Sequence, residues 1–286
     1  QARRRPLHCA FGSIPRARTE RYQVLPFAGR GDLFAKKSNP TASLSVYAAS
    51  GTRIKVFMRT ETLQDGTESF SISVHEADKN SPVVLFAVGS GGQPERHSTL
   101  VEKLIESGYT VIAPHFERLV SSYPNEDELT LRARRLSLAL YAFSQPSAIV
   151  AGVGHSIGAA ILLALAGAKM WLGPGRQANI TPEKRLVRLA LLAPPTGFFQ
   201  ALGALDAVRV PILLWVGSED NITPSEQSKW LAQAMPGSQT VDLRMTNGAG
   251  HFSFMDLAPP NTVEPLANKL EFIQEYSSEV SKFVAG

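Results

Sequence analysis

Two kinds of hydrophobic pattern follow one another along the chain. Residues 53–59 and 69–74 alternate polar and apolar side chains over most of their length, as strands do when one face is buried and the other meets solvent. The turn-forming residues Gln64, Asp65 and Gly66 lie between them. This pattern predicts an antiparallel hairpin at the edge of a sheet.

From residue 83 the alternation gives way to short, continuous apolar runs that are separated by helical stretches. Such runs are typical of strands buried on both faces, in a parallel sheet that helices cover on both sides. We therefore predict an α/β fold with a mostly parallel central sheet of about eight strands and helices on both faces. The further strands are predicted at 83–88, 110–113, 148–153, 187–192, 212–216 and 240–244. The helices are predicted at 97–107, 127–143, 157–170, 224–235 and 266–284.

A glycine-rich pentapeptide, Gly154-His155-Ser156-Ile157-Gly158, follows the apolar run that starts at Ala148. A Gly-x-Ser-x-Gly sequence between a strand and a helix is typical of a nucleophile elbow, in which glycine lets the two elements approach closely. Ser156 is therefore the candidate nucleophile. The alternative is an ordinary βα turn whose serine caps the next helix.

Two later loops carry the groups that such a serine needs. Glu219 and Asp220 follow one predicted strand, and His251 lies in a glycine-rich turn after the next. Ligands bind at this edge of an open α/β sheet. A histidine can take the serine proton, and a carboxylate orients the histidine. We assign His251 as the base and Asp220 as the acid, with Glu219 and the more distant Asp206 as alternatives.

The other histidines receive less specific interpretations. His8, His75 and His97 are interpreted as polar surface residues, and His155 as a packing or hydrogen-bonding residue. His115 ends a predicted strand and is a candidate for the substrate pocket.

An oxyanion hole would complete the site. Its first predicted donor is the backbone N–H of Ile157, and the second is the N–H of Ser90 in the loop Val88-Gly89-Ser90-Gly91-Gly92. The alternative for this loop is a phosphate-binding turn, but the G-x-G-x-x-G spacing and a Walker lysine are missing.

These stretches, together with Gly217-Ser218-Glu219-Asp220 and 248–254, resemble the α/β-hydrolase superfamily over roughly residues 45–284. Within it, the chain is similar to predicted dienelactone-hydrolase-like esterases. The resemblance implies hydrolysis of an ester, thioester or lactone through an acyl-enzyme, with no metal and no organic cofactor.

The sequence departs from these relatives at three points. Val88 stands where the oxyanion loop usually begins with a histidine, so the support of the loop must differ. His115 stands where an aspartate is common, and Ser156 replaces the cysteine nucleophile of true dienelactone hydrolases. The last departure favours a general carboxylic ester over a dienelactone as substrate.

The pocket and its cover are also predicted. Only residues 193–210 separate two strands at the position where cap domains of this superfamily commonly lie, so we expect a minimal lid. We interpret 172–184 as a loop over the active face. The candidate substrate-binding residues are Gly89, His115, Phe116, Phe198, Phe199 and Phe252, with Trp171 as a further aromatic candidate.

The charge of the chain is unevenly distributed. Residues 1–43 hold nine Lys/Arg and two Asp/Glu, a net charge of +7, whereas the remainder holds 20 basic and 23 acidic residues, a net charge of −3. The arginine-rich segment is typical of an organelle transit peptide, and a disordered basic tail or a mistranslated upstream sequence fits it equally well. We predict that 1–43 lies outside the fold and that 44–286 is the catalytic domain.

The composition of the main body argues against nucleic acid and membranes as binding partners. The main body has no basic stripe for nucleic acid and no apolar stretch long enough to insert stably in a membrane. The only cysteine of the chain, Cys9, lies in the N-terminal segment, so the main body can form no internal disulfide, which fits a reducing compartment. We expect a soluble intracellular protein, in the cytoplasm or, with a transit peptide, in a plastid or mitochondrion. The sequence leaves the oligomeric state open.

Three functions are compatible with these observations. The first is a serine hydrolase that acts on a small-molecule ester. The second is an acyltransferase or perhydrolase that uses the same triad. The third is a non-catalytic binder of a small molecule or lipid on the same fold.

Overall fold

The computed structural model describes residues 42–47, 53–78, 80–121, 123–237 and 240–286, and nine of the strands found there form one sheet. The strands are β1 (Ala42–Tyr47), β2 (Arg53–Asp65), β3 (Glu68–His75), β4 (Val83–Ala87), β5 (Thr110–Pro114), β6 (Val150–His155), β7 (Trp171–Gly173), β8 (Arg176–Gln177), β9 (Leu186–Leu192), β10 (Ile212–Gly217) and β11 (Val241–Thr246). The helices are α1 (Ser98–Glu106), α2 (Glu126–Phe143), α3 (Ile157–Leu165), α4 (Ser225–Ala234) and α5 (Lys269–Ala285).

The sheet has the order β1-β2-β3-β5-β4-β6-β9-β10-β11. The six strands from β5 to β11 in this order pair in parallel. The three strands at the other end join through antiparallel pairs. The predicted fold class, a mostly parallel α/β sheet, is confirmed.

The predicted hairpin forms, but it does not lie at the edge. Strands β2 and β3 pair up to Asp65 and Glu68 around Gly66, whose φ of 67° suits glycine. Strand β1 pairs with the outer side of β2 and becomes the edge strand. The sequence prediction missed β1 because it began the sheet only at residue 53.

The helices lie on both faces of the sheet, as predicted. In β4, Val83 and Leu85 contribute to a core that also contains the buried sides of α2, α3 and α4. Val84 and Phe86 face the opposite way and belong to a second core with α1 and α5. This alternation explains why the central strands are apolar throughout, since neither face meets water.

Helix α3 is shorter than the predicted 157–170. It ends at Leu165, and Gly167 follows with a φ of 111°. A glycine in this conformation ends a helix readily, because an L side chain is disfavoured there. The apolar residues beyond it, such as Ala168 and Met170, are buried in the core without being helical.

The cover of the active edge is small. Between β9 and β10 the chain forms only a short 3-10 turn, Gly197–Phe199, and no inserted domain. Residues 172–184 include most of the β7–β8 hairpin, and none of them lines the cavity beside Ser156, in contrast to the predicted loop over the active face.

Within the described part of the chain, no helix is both long and apolar enough to cross a bilayer.

The predicted N-terminal segment lies almost entirely outside the described residues, which begin with β1 at Ala42. The boundary after residue 43 and the transit-peptide interpretation therefore stay predictions.

Candidate active site

Ser156 lies in a strained turn between β6 and α3. Its φ of 54° and ψ of −130° are unusual for a residue with a side chain. A Cβ on Gly158 would overlap the carbonyl oxygen of Ala87, and one on Gly154 would lie 2.9 Å from the backbone nitrogen of Ala159. Both glycines are therefore required by the close packing of α3 against β4 and β6, and this packing holds the Ser156 hydroxyl at the end of the strand.

The loops after β10 and β11 bring an acid and a histidine to Ser156. The Nε2 of His251 lies 3.0 Å from the Oγ of Ser156, and its Nδ1 lies 2.8 Å from the Oδ2 of Asp220. Both Asp220 and His251 are buried, at 3% and 6% exposure. The structure therefore brings the three predicted catalytic residues into one hydrogen-bonded chain, arranged as a nucleophile, a base and an orienting acid require.

Asp220 is also fixed by the loop that follows it. The backbone N–H groups of Ile222 and Thr223 donate to Oδ1, over 2.9 and 2.7 Å. Burial raises the pKa of Asp220, but the hydrogen bond and charge of His251 and the bonds from Thr223 outweigh it and hold the pKa below its usual value. The carboxylate thus stays ionised, with Oδ2 aimed at His251.

Thr223 belongs to this site, although the sequence analysis did not identify it. Its Oγ1 lies 2.7 Å from Asp220 Oδ2, 3.0 Å from His251 Nδ1 and 3.1 Å from the carbonyl oxygen of Ala193. A hydroxyl has one proton to donate, so it donates to either Asp220 or Ala193 at any moment. The only signal in the sequence was its position three residues after the acid.

The two alternative acids lie elsewhere. Glu219 is exposed, and its carboxylate contacts the hydroxyl of Ser218 at 3.4 Å. Asp206 lies close to Gly203, in the segment between β9 and β10. Neither forms a hydrogen bond with His251 within the described residues.

Three histidine rings lie in contact next to the nucleophile, tilted by 45° and 59° to one another. The ring of His155 lies 4.8 Å from that of His251 and 5.1 Å from that of His97, between centroids. His97 is 1% exposed, so its interpretation as a surface residue is wrong. The carbonyls of His251 and Phe254 accept hydrogen bonds from His155 Nε2 and His97 Nδ1, over 3.0 Å each, which fixes both neutral tautomers.

Burial keeps the two inner histidines neutral. It lowers the pKa of His97 to about 4, against the opposing effects of the Phe254 carbonyl and the charge of Asp256. Burial also holds the pKa of His155 well below 6.5, and the neighbouring His251 and His97 lower it further. Neither inner histidine therefore adds a positive charge beside the imidazole of His251 at neutral pH.

Stability is expected to fall in mild acid because of these rings. An unfolded histidine binds a proton below pH ~6.5, whereas folded His97 does so only near pH 4, so the stabilisation is present above pH ~6.5 and is lost as the pH falls towards 4. The loss from His97 amounts to about 3 kcal/mol. Urea unfolding between pH 7.5 and 4.5 measures it.

The matched variant is His97→Gln, which cannot titrate in this range. We expect a shallower fall of unfolding free energy with acid than in the wild type. Asp220 changes the stability only at more acidic pH, because its pKa lies below its usual value. Equal slopes for the wild type and the variant would contradict the assignment.

A cavity of about 310 Å³ opens beside Ser156. Gly89 and Phe252, two of the six candidate substrate-binding residues, line it. It is lined by Val88, Gly89, Ser90, Gly91, Gly92, Gln93, Arg96, His97, Arg118, His155, Ser156, His251, Phe252, Met255, Pro259 and Pro260.

The other four candidate substrate-binding residues lie elsewhere. His115 Nε2 lies 2.7 Å from Ser73 Oγ and 3.4 Å from Glu95 Oε1. Phe199 is buried in the core with α2, α3 and α4, against which Phe198 also packs. The ring of Phe116 lies under the guanidinium of Arg132. The residue types alone did not show which of these side chains point into the cavity beside Ser156.

The oxyanion donors predicted from the sequence lie beside the nucleophile. Ile157 opens helix α3, so its N–H has no acceptor within the helix. Ser90 lines the same cavity as Ser156. A Cβ on the preceding Gly89 would lie 3.3 Å from the Cβ of Ser156, which shows how closely this loop approaches the nucleophile.

Comparison with known proteins gives structural matches alone. No family model and no curated protein matches the sequence. A dienelactone hydrolase-like phosphotriesterase from metagenomic libraries matches with a TM-score of 0.59 at 15% identity, over 80% of this chain and 97% of that one. A dienelactone hydrolase from Anabaena variabilis matches with a TM-score of 0.55 at 18% identity, over 80% and 96%.

A third structure, an α/β serine hydrolase homologue from Coxiella burnetii, matches with a TM-score of 0.53 at 19% identity, over 77% and 96% of the two chains. The chain has the α/β-hydrolase fold. In an α/β-hydrolase fold, Ser156 occupies the turn after a central parallel strand, at the carboxyl edge where ligands bind.

Proposed function

We propose that the protein is a serine hydrolase that cleaves carboxylic esters, thioesters or lactones through an acyl-enzyme. The observation that carries the proposal is the continuous hydrogen-bonded chain from Ser156 Oγ through His251 to Asp220, which opens onto a cavity. Dienelactone hydrolase, esterase and thioesterase all occur among the structural neighbours, which supports hydrolysis on this fold.

In the first half-reaction, Ser156 Oγ attacks the carbonyl carbon of the ester while His251 Nε2 takes the hydroxyl proton. Asp220 stabilises the resulting imidazolium. The N–H groups of Ile157 and Ser90 stabilise the oxyanion. Collapse of the intermediate breaks the bond to the alcohol, which leaves with the proton from His251, and Ser156 is left acylated.

In the second half-reaction, His251 takes a proton from water as the water attacks the acyl-enzyme. The tetrahedral intermediate collapses, the carboxylic acid leaves, and Ser156 recovers its proton from His251. Oxygen and protons balance over the two steps without any further reactant.

The experiment combines a fluorophosphonate probe with p-nitrophenyl esters of increasing acyl length. We expect covalent labelling of one serine and turnover of short to medium acyl chains, because the cavity holds about 310 Å³. If the folded protein is neither labelled nor active on any ester, the proposal fails.

The cavity is also expected to favour negatively charged substrates. Arg96 and Arg118 line the cavity, and none of its described lining residues is Asp or Glu. Mono-p-nitrophenyl glutarate should therefore be cleaved with a higher kcat/KM than p-nitrophenyl pentanoate, and the advantage should shrink with added salt. Arg118→Gln should reduce this advantage about five-fold, a value typical of about 1 kcal/mol between charges near water.

Arg176→Gln is the control, because Arg176 is exposed on β8 and does not line the cavity. It should leave the ratio of the two substrates unchanged. An undiminished ratio in Arg118→Gln would show that this guanidinium does not meet the substrate.

A further inference from the structure

Arg132 is a buried arginine whose partners are backbone carbonyls. It lies on α2 at 2% exposure. Its guanidinium donates to the carbonyl oxygens of Gly89 at 2.9 Å, Ser90 at 3.3 Å and Glu117 at 2.7 Å. Its Cζ lies 4.8 Å from the centroid of the Phe116 ring. Two of these contacts fix the planar guanidinium against the loop 88–92, and the other two hold it against the segment that follows β5.

No carboxylate in the described part of the chain neutralises the charge of Arg132. Among the described residues, none forms an ion pair with Arg132, and Glu128 acts on it only at a distance. Burial lowers the pKa of Arg132 to about 10, so the guanidinium remains charged at neutral pH. An unpaired buried charge costs stability, and arginine side chains are rarely fully buried unless they are paired.

The geometry of the peptide bond connects this contact to catalysis. In a planar trans peptide, the N–H of one residue points opposite to the carbonyl of the residue before it. Arg132, which does not line the cavity, draws the Gly89 carbonyl towards α2. The N–H of Ser90 belongs to the same peptide plane and is therefore turned away from α2, on the side where the loop lines the cavity with Ser156.

The loop has a second restraint that agrees with this orientation. The N–H of Gly92 donates to the same Gly89 carbonyl over 3.2 Å. The φ of Gly92 is 77°, and a Cβ there would overlap the carbonyl of Phe116. The Gly92 N–H and the Arg132 guanidinium thus both hold the Gly89 carbonyl in place.

We propose that Arg132 is a positioning residue of the oxyanion hole, where its guanidinium holds the Gly89–Ser90 peptide plane so that the Ser90 N–H meets the developing oxyanion. The inference rests on the proposed serine-hydrolase function and adds to it the group that supports the loop. Val88 occupies the position at which related loops carry a histidine, and Arg132 supplies support from α2 instead. A donated hydrogen bond to the carbonyl also polarises the peptide and strengthens its N–H as a donor.

The test separates transition-state stabilisation from binding of the ground state. The probes are p-nitrophenyl butyrate, phenylboronic acid, which forms a tetrahedral adduct on Ser156, and the butyl ether of p-nitrophenol, which has no carbonyl. We expect Arg132→Gln to lower kcat/KM about 100-fold, as loss of one oxyanion donor does. The boronic acid should bind more weakly by a similar factor, while the affinity for the ether stays within about two-fold of wild type.

Arg132→Lys is the second variant, and it decides the question where Arg132→Gln does not fold. Its ammonium can reach one carbonyl but lacks the planar fork, so an intermediate loss with the same bias towards the boronic acid is expected. Arg134→Gln on the same helix is the control. Arg134 is exposed and pairs with Asp65, so its loss should leave the boronic acid to ether ratio unchanged.

The outcomes separate this inference from the function on which it rests. A folded wild type without turnover or boronic acid binding refutes the proposed function. An active wild type with a folded Arg132→Gln or Arg132→Lys variant of full kcat/KM refutes the positioning role alone. Equal weakening of boronic acid and ether also refutes it, because a merely structural role would damage both.

Discussion

Replacing Ser156 with alanine is expected to abolish fluorophosphonate labelling and to lower ester turnover about 10⁶-fold. The Oγ of Ser156 is the atom that would bond to the substrate, and His251 Nε2 lies 3.0 Å from it. Without the hydroxyl, His251 and Asp220 have no nucleophile to activate. Residual catalysis would come from the oxyanion donors and binding alone. Labelling followed by intact-mass spectrometry and initial rates with p-nitrophenyl butyrate measure both effects.

Ser121→Ala is the matched control for this experiment. The hydroxyl of Ser121 is exposed and donates to the carbonyl of Tyr123, so its removal should leave labelling and rate unchanged. Thermal unfolding of Ser156→Ala should remain cooperative, because alanine keeps the Cβ that the turn already accommodates. Labelling that persists in Ser156→Ala would move the nucleophile to another residue.

The strand and helix that position Ser156 could be predicted because burial and close packing restrict which residues they can contain. Strands buried on both faces have to be apolar, and a tight turn between β6 and α3 needs glycine at 154 and 158. The order of Ser156, Asp220 and His251 follows from the carboxyl ends of the parallel strands, which bring successive loops to one edge.

The remaining parts of the site depend on packing that no local pattern encodes. His97 lies in the polar stretch 94–97, which suggests exposure, yet its ring packs edge-on against Phe86. Arg132 lies in a charged helix whose sequence suggests a solvent-facing residue, but it is buried against the loop predicted to supply the oxyanion donor Ser90. The direction in which a side chain points decided both cases, and only tertiary contacts set that direction.

Asp220→Asn is expected to lower kcat about 10⁴-fold, as the equivalent change in a triad does. The Ile222 and Thr223 N–H groups donate to Oδ1, so an asparagine would keep its oxygen there and place its NH₂ where Oδ2 now meets His251. That NH₂ donates to Nδ1 and favours the tautomer whose Nε2 carries the proton. Such an imidazole cannot accept the proton of Ser156.

Glu219→Gln is the comparison that decides between the adjacent acids. Glu219 is exposed and contacts the Ser218 hydroxyl at 3.4 Å rather than His251, so kcat should stay within about two-fold of wild type, as is usual for exposed polar contacts. Both variants should unfold cooperatively, and rates are compared at one pH with p-nitrophenyl butyrate. A larger loss of kcat in Glu219→Gln than in Asp220→Asn would assign the acid to Glu219. The carboxylate that fixes the His251 tautomer is the one whose removal should slow the reaction most.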